Sequence, residues 1–120
     1  MMNRKESSTN FLNEQEILNN CPITTFFHQL SGRWKLTILW QLRHSNGQRF
    51  SDLKEALPAI SDRILSLQLR SLQEDDFVVK LFLNGSVNAT VYQLSEKGKS
   101  LLPILQGIYA WGMENSSNQQ

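Results

Sequence analysis

The stretch that decides the fold is residues 50–72, FSDLKEALPAISDRILSLQLRSL. Its first half predicts a short helix, because the apolar residues Leu53, Ala56 and Leu57 recur at spacings of three and four. Pro58 cannot continue that helix, since it has no backbone N–H and its ring clashes with the preceding turn. The stretch therefore predicts a helix that stops at a turn.

The second half of the stretch predicts a longer helix with two different faces. Ser61 stands where its hydroxyl can accept a backbone N–H and cap the helix start. One face is an apolar stripe formed by Leu65, Leu69 and Leu72. Another face carries two cations, a hydroxyl and a leucine, namely Arg63, Ser66, Leu67 and Arg70. Residues 50–72 thus predict a helix-turn-helix unit with a basic outer face.

That outer face has the chemistry that double-stranded DNA requires. Arginine donates to phosphates and guanine edges, serine hydrogen-bonds either, and leucine contacts a thymine methyl group. The major groove is wide enough for one helix. We therefore predict DNA contacts by Ser61, Arg63, Ser66, Leu67 and Arg70. The alternative for Arg70 is an ion pair with Glu74, one helical turn further along.

A β-hairpin is predicted directly after this helix. Residues 77–82 and 90–94 are rich in β-branched and aromatic residues, and Asn84-Gly85 lies between them. The connecting segment has no Arg or Lys, so its phosphate contacts would come from backbone and polar groups, among them Asn88 and Thr90. Two lysines outside this segment are further candidates for contacts with the DNA backbone, Lys80 on the first strand and Lys35 at an earlier helix start.

Helix, turn, helix and hairpin in that order form a winged helix-turn-helix. Five motifs in a fixed order make the chain resemble the HxlR-type transcriptional regulators, relatives of the MarR group. They are Cys21-Pro22-Ile23, GRWKLTIL at 32–39, RFSDL at 49–53, Ile60-Ser61 and YQLSEKG at 92–98. The resemblance spans residues 21–111. It implies an α+β, mostly helical fold whose N- and C-terminal helices form a dimer, and a sequence-specific DNA-binding regulator that acts as a homodimer.

A single domain is expected from a chain of 120 residues. We expect residues 1–10 and 115–120 to be disordered tails, and residues 11–114 to form the winged helix-turn-helix domain with its dimerisation helices. No apolar run reaches the length of about 18 residues that a membrane span needs, and the first residues lack the apolar segment of a signal peptide. A cytoplasmic protein is therefore expected.

Further helices and one short strand are predicted from the remaining segments. Pro22 begins a helix with Ile23, Phe26, Phe27 and Leu30 on one side. The other predictions are helices over 11–18, 34–42 and 96–114, and a strand over 48–50. The last helix has more apolar surface than a small core needs, with Pro103 expected to bend it. Dimerisation would use that surface, and the alternative is that it closes the subunit's own core.

The charge distribution agrees with DNA binding better than the net charge does. The formal net charge is only +1, but residues 31–70 hold seven cations against three anions. The alternative is that these charges are ordinary solvated faces. A protein-interaction module that kept the winged helix but lost DNA binding would fit the uncharged hairpin tip.

Cys21 is the one cysteine, so the chain has no internal disulfide. Its position before Pro22 favours a thiolate, because a helix N-terminus stabilises negative charge. The resemblance aligns it with a cysteine that some relatives use to sense oxidants or electrophiles. The alternative is an inert cysteine that packs as a small apolar residue.

No enzyme is predicted. His28 and His44 lack partners at metal-binding spacing, no Gly-rich phosphate loop is present, and neither a metal nor a cofactor is expected. Aromatic residues are plentiful, and besides packing they leave room for a small apolar effector. They are Phe26, Phe27, Trp34, Trp40, Tyr109 and Trp111.

Overall fold

A computed structural model describes residues 14, 16, 20–44, 46–86 and 89–116. The chain forms two compact units that divide after Gly32, whose φ of +104° lies in the left-handed region that favours glycine. The first unit contains helix α1 (Pro22–Leu30), with proline at its start as predicted. Of the helix predicted over 11–18, Glu14 and Glu16 are described and both are helical. The predicted tail over 1–10 lies outside the described residues.

The second unit contains the helix-turn-helix and the hairpin in the predicted order. Its elements are α2 (Lys35–Gln41), α3 (Phe50–Ala56), α4 (Asp62–Glu74), β1 (Val78–Phe82), β2 (Thr90–Leu94), α5 (Glu96–Ser100) and α6 (Leu102–Asn115). Strands β1 and β2 pair antiparallel, from Val78 opposite Leu94 to Phe82 opposite Thr90. The α+β, mostly helical winged helix-turn-helix fold is thereby confirmed.

Only one residue of the strand predicted over 48–50 pairs with the hairpin. The Gln48 N–H donates to the Tyr92 carbonyl at 2.8 Å, and the Tyr92 N–H donates back at 2.7 Å. Arg49 instead precedes α3, because its N–H donates to a carboxylate oxygen of Asp52 at 2.9 Å and so completes a helix cap. Phe50 is already helical. The prediction of a strand through Phe50 was therefore wrong.

The core of the second unit draws on every long helix and both strands. Leu65, Leu69 and Leu72 of α4 are fully buried, which confirms the predicted stripe. Leu53 is the buried residue of α3, whereas Ala56 is exposed, because the seven-residue helix packs through a face centred on Leu53. Each fully buried leucine contributes about 1.5–3 kcal/mol of transfer free energy. The other buried apolar residues are Ile38, Leu39, Leu42, Ile60, Phe77, Val78, Val91, Leu94, Leu101 and Leu105.

The predicted C-terminal helix is two helices. Ser95 caps α5 by accepting the Gly98 N–H at 3.0 Å, as predicted. Helix α6 starts afresh at Leu102 because Pro103 is favoured in a first turn, where its missing N–H costs nothing. The single helix predicted over 96–114 was therefore wrong at Leu101. Helix α6 ends at Asn115, one residue beyond the prediction, and residues 117–120 of the predicted tail are outside the described residues.

Gly98 allows α5 to approach the hairpin closely. A Cβ atom at this position would lie well inside van der Waals contact with the Phe77 carbonyl oxygen and against Leu94. The Ser95 N–H donates to the same carbonyl at 3.0 Å. Helix α5 is thus held directly against the start of the hairpin.

Candidate nucleic-acid interface

Helix α4 is capped and packed so that one face stays outside. The Ser61 hydroxyl oxygen accepts the Ile64 N–H at 3.1 Å, which satisfies one of the four free N–H groups of the helix start. Ser61 is exposed, and its hydroxyl proton is still available as a donor. The buried leucine stripe then fixes the rotation of the helix. Its opposite face consequently points away from the core.

The predicted contact residues of α4 all lie on this outer face. Arg63, Ser66 and Arg70 are exposed, and Leu67 is 45% exposed although it is apolar. Across the described ranges neither arginine forms an ion pair, and the alternative pair of Arg70 with Glu74 is not made there. Arg63 and Arg70 are two helical turns apart, or about 10 Å along the axis. Both guanidinium groups can therefore engage acceptors on a bound surface.

Lys54 is a residue of this region that the sequence patterns did not indicate. Its Nζ atom lies 3.4 Å from a carboxylate oxygen of Asp62 and also donates to the Ile60 carbonyl. The lysine thus joins α3 to the turn and to the first residue of α4. It also partly neutralises Asp62, the anion at the start of the basic face. Only the folded turn brings these residues together, so no spacing rule could have found the contact.

The hairpin presents one cation and an uncharged tip. The Lys80 Nζ atom lies 5.9 Å from the ring centroid of Tyr92 and 6.0 Å from that of Phe82, at the outer range of cation–π contact. The tip begins with a 3-10 turn in which Asn84 and Gly85 have φ values of +55° and +71°. Thr90 is half-buried at the start of β2. Asn88 lies outside the described residues.

Lys35 is the first residue of α2 and is half-buried. It belongs to a different element from the α4 face and the hairpin, so the predicted contact residues fall into three groups. Arg63, Ser66, Leu67 and Arg70 share one helix face with Ser61 at its start, Lys80 and Thr90 belong to the hairpin, and Lys35 belongs to α2. The α4 group is the one whose members form a continuous exposed surface.

A second exposed surface is apolar and lies on α6. Five of its large side chains are between 52% and 67% exposed, which is unusual for one helix of a small protein. They are Ile104, Ile108, Tyr109, Trp111 and Met113. The Tyr109 ring stacks on Trp40 with centroids 5.3 Å apart, and an apolar cavity of about 210 Å³ lies beside this pair. Ile104, Ile108 and Trp111 share one side of α6, and Tyr109 and Met113 lie on another side. We call the five residues together the α6 apolar face.

Cys21 immediately precedes α1 and is half-exposed. Hydrogen bonding from the backbone N–H of Thr24 lowers the pKa of the thiol, and the Ile23 N–H adds to this effect. Partial burial opposes the shift, and the Thr24 hydroxyl reinforces it slightly. The pKa of the Cys21 thiol is therefore lowered, in the direction that the sequence predicts.

Two further findings bear on the kind of site that the described residues can form. No group of three His, Cys, Asp or Glu side chains among them is arranged to hold a metal ion. In the same part of the chain, no helix has both the length and the apolar character needed to cross a membrane.

A capped helix with an exposed basic face, seated on a short helix and followed by a hairpin, defines the class of winged helix-turn-helix proteins. Within that class the chain belongs to the HxlR-like helix-turn-helix family, whose model matches residues 29–120. This confirms the resemblance inferred from the sequence motifs. It also confirms the prediction of a helix-turn-helix transcriptional regulator, since the relatives of this family are transcriptional regulators.

Individual relatives agree with the family assignment. The HTH-type transcriptional regulator YtcD of Bacillus subtilis is 36% identical over 93 residues, which are 78% of this chain and 73% of YtcD. Its crystal structure covers 81% of this chain and 98% of its own, with a TM-score of 0.71 and 33% identity.

Two redox-related regulators are also similar in structure. The reduced form of the redox regulator HypR covers 79% of this chain and 93% of its own, with 29% identity and a TM-score of 0.72. Quinone-bound YodB from B. subtilis covers 78% of this chain and 99% of its own, with 28% identity and a TM-score of 0.67.

Proposed function

We propose that this regulator binds a two-fold symmetric site on double-stranded DNA as a homodimer, with α4 of each subunit in the major groove. The observation that carries the proposal is the exposed face of Arg63, Ser66, Leu67 and Arg70, opposite the buried leucine stripe. An α-helix presenting bidentate donors at its surface matches the width and the acceptor pattern of that groove.

The predicted contact residues divide into those that read bases and those that contact the DNA backbone. Arg63 and Arg70 read base edges, Ser66 bonds a base or phosphate, and Leu67 contacts a thymine methyl group. The remaining contacts are to the DNA backbone and supply affinity without sequence discrimination. They come from Ser61, Lys35, Lys80, Asn88 and Thr90.

The test is binding to DNA upstream of the protein's own gene, first by footprinting and then by fluorescence anisotropy. Arg63→Ala and Arg70→Ala should each weaken specific binding by about 1–3 kcal/mol. Lys97→Ala is the matched control, because its Nζ atom is engaged with the Asp75 carbonyl, away from the α4 face. Affinity for random duplex should fall steeply with salt. Unchanged operator affinity in both arginine variants would mean that another surface reads the DNA.

The α6 apolar face supports the homodimer. Its exposed side chains would lose contact with water if a second copy of this chain covered them. A two-fold arrangement of the two copies would also present two α4 helices to a symmetric DNA site. Sedimentation at micromolar concentration should find a dimer, and Ile108→Glu should produce a monomer. Gln106→Glu adds the same charge at an already polar position of α6 and should leave the dimer intact. A wild-type monomer in this measurement would refute the assembly.

We further propose that a thiol-reactive signal acts through Cys21. The similar structures of HypR in oxidised and reduced forms, and of YodB with quinone, support a regulator that responds to such chemistry. A quinone needs no other oxidant: the Cys21 sulfur forms a C–S bond to a ring carbon, and the thiol proton goes to one quinone oxygen. The hydrogen of that ring carbon then moves to the other oxygen, which gives a hydroquinone thioether. Diamide would instead take two hydrogens from two Cys21 thiols and join them as a disulfide between subunits.

Cys21→Ser distinguishes this signal from a packing role. The variant should bind the operator normally and ignore quinones and diamide at concentrations that change wild-type binding. An identical response of variant and wild type would assign Cys21 to packing. Regulation through Cys21 requires neither a catalytic step nor a cofactor. We propose that the protein acts in the cytoplasm.

A further inference from the structure

A cavity of about 310 Å³ with a mixed polar and apolar lining lies in the second unit, separate from both the α4 face and the α6 apolar face. Three elements build it: the end of α2, the C-terminal part of β2, and the junction of α5 with α6. Its lining is Leu42, Arg43, His44, Asn46, Gln93, Leu94, Lys99 and Leu102. The volume is at the lower end of the range of small-molecule sites.

The lining separates into a basic rim and an apolar floor. Arg43, His44 and Lys99 supply the basic groups, and no Asp or Glu belongs to the lining. A carboxylate oxygen of Glu96, which is outside the lining, lies 3.6 Å from the Lys99 Nζ atom in an exposed ion pair. The buried Leu42 and Leu94 form the floor. Such a cavity favours a ligand with a negative charge at one end and an apolar body at the other.

Hydrogen bonds hold the polar groups of the rim in place, and some of their N–H donors can still bind a ligand. The Arg43 guanidinium stacks on Trp40 at 4.2 Å and uses one nitrogen to donate to the Trp40 carbonyl at 2.7 Å. A guanidinium has five N–H donors, so others remain for a ligand. The Gln93 side-chain amide donates to the Asn46 carbonyl at 2.6 Å, which ties β2 to the turn after α2. The rim is thus positioned before any ligand arrives.

We propose that this cavity binds a small organic monoanion with an apolar body, such as an aryl carboxylate, its carboxylate meeting Arg43 and Lys99 and its ring lying on Leu42 and Leu94. The site joins β2 of the hairpin to Lys99 of α5 and to Leu102 at the start of α6. This step rests on the proposed function: the bound ligand acts as an effector that changes the orientation of α6. The spacing of the two α4 helices in the homodimer changes with it.

The primary test measures binding without DNA. Benzoate is titrated into the full chain by calorimetry, and benzamide, which has the same shape without the charge, is the comparison ligand. Benzoate should bind one site per chain with a Kd of about 1 mM or tighter, and benzamide at least about tenfold more weakly. Lys99→Gln should weaken benzoate binding about tenfold, because it removes one charge-assisted contact. Lys97→Gln removes the same charge from the same helix outside the cavity and should leave binding unchanged.

Equal binding of benzoate and benzamide, equal losses in the Lys99→Gln and Lys97→Gln variants, or no saturable binding of benzoate would each overturn the proposal. Amide chemical shifts of Arg43, Gln93 and Lys99 should move on titration, and shifts confined to α4 or the far end of α6 would also overturn it. A separate measurement tests the effector role: benzoate should change operator affinity of wild type and leave that of Lys99→Gln unchanged. Because the binding measurement contains no DNA, its failure is distinct from a failure of DNA binding.

Discussion

Lys54 and Asp62 are joined across the turn of the helix-turn-helix, with the ammonium nitrogen 3.4 Å from a carboxylate oxygen. The Lys54 side chain is 28% exposed and that of Asp62 is 78% exposed, so water screens the pair and its contribution to the free energy of unfolding is below about 1 kcal/mol. In the proposed DNA complex, its importance lies in electrostatics at the start of α4. A bare carboxylate there would repel phosphates, and the lysine offsets that charge.

Replacement of Lys54 by methionine should therefore affect DNA binding more than folding. Lys54→Met keeps the apolar stem of the side chain but leaves Asp62 uncompensated, so we expect operator affinity to fall by about three- to tenfold. The midpoint of urea unfolding should fall only modestly, because the ion pair is screened by water and the other loss is one hydrogen bond to the Ile60 carbonyl. Anisotropy and urea titration on the same protein sample measure both quantities.

The double variant Lys54→Met/Asp62→Asn completes a mutant cycle. With the carboxylate also removed, most of the lost affinity should return, since the two side chains act on the DNA through one local charge balance. Purely additive losses in the cycle would show that the pair has no joint role at the interface.

The two faces of α4 predict opposite results for neighbouring leucines. Leu65 is fully buried, so Leu65→Ala should lower the free energy of unfolding by about 2–5 kcal/mol. Leu67 is largely outside the core, so Leu67→Ala should cost below about 1 kcal/mol. Chemical denaturation decides the matter, and similar costs for the two substitutions would mean that the helix is rotated from the orientation described above.

Gly98 and Gly107 form a second matched pair. Gly98→Ala would force a methyl group against the Phe77 carbonyl oxygen and should destabilise the fold by about 1–3 kcal/mol. Around Gly107 on α6, a Cβ atom would meet no atom within 4 Å, so Gly107→Ala should stabilise the helix by about 0.5–1 kcal/mol. Thermal melting of the two variants should shift in opposite directions; a shared direction would contradict the close approach at Gly98.

The pKa of Cys21 predicts how its reactivity depends on pH. Backbone N–H groups of Thr24 and Ile23 lower this pKa in the folded chain, so the rate of alkylation by iodoacetamide should reach its midpoint at lower pH than in urea-unfolded chain. Thr24→Val keeps the backbone N–H and loses only the hydroxyl, the smallest of the contributing causes, so the midpoint should rise only slightly. Equal midpoints for folded and unfolded wild type would contradict the hydrogen-bonded thiolate.

The same shift gives a small pH dependence of stability. The unfolded chain holds the thiol proton more tightly than the folded chain does, so the thiolate adds to stability above the unfolded pKa. That contribution is lost as the pH falls through the folded pKa. Comparison of wild type with Cys21→Ser in urea titrations across this range isolates it, and parallel curves for the two proteins would refute it.

Local sequence patterns predicted what local physics determines. Leu65, Leu69 and Leu72 of α4 are buried as their spacing of three and four indicates. Ser61 and Ser95 cap the helices that follow them, and Asn84-Gly85 turns the hairpin. Each of these features depends on a few consecutive residues, so a single sequence is sufficient to predict it.

The wrong or missing predictions have two causes. In some, two neighbouring residues favour different structures; in others, the feature depends on contacts between residues that are distant in the sequence. Phe50 fits a strand, yet the Asp52 carboxylate on the Arg49 N–H starts a helix there. Pro103 suggests a bend, yet a proline near a helix start can equally begin a new helix. The Lys54 contact and the basic cavity depend on turns whose geometry only the complete fold provides.

Helices α5 and α6 are two separate helices connected at Leu101. Helix α5 is held against the hairpin at Gly98, whereas α6 has 14 residues and is about 21 Å long. Rotation by about 10° at Leu101 would carry the far end of α6 through about 3.7 Å, close to the rise of one base pair, about 3.4 Å. In the proposed homodimer, a rotation of about 10° at Leu101 would therefore shift the two α4 helices relative to each other by about the rise of one base pair.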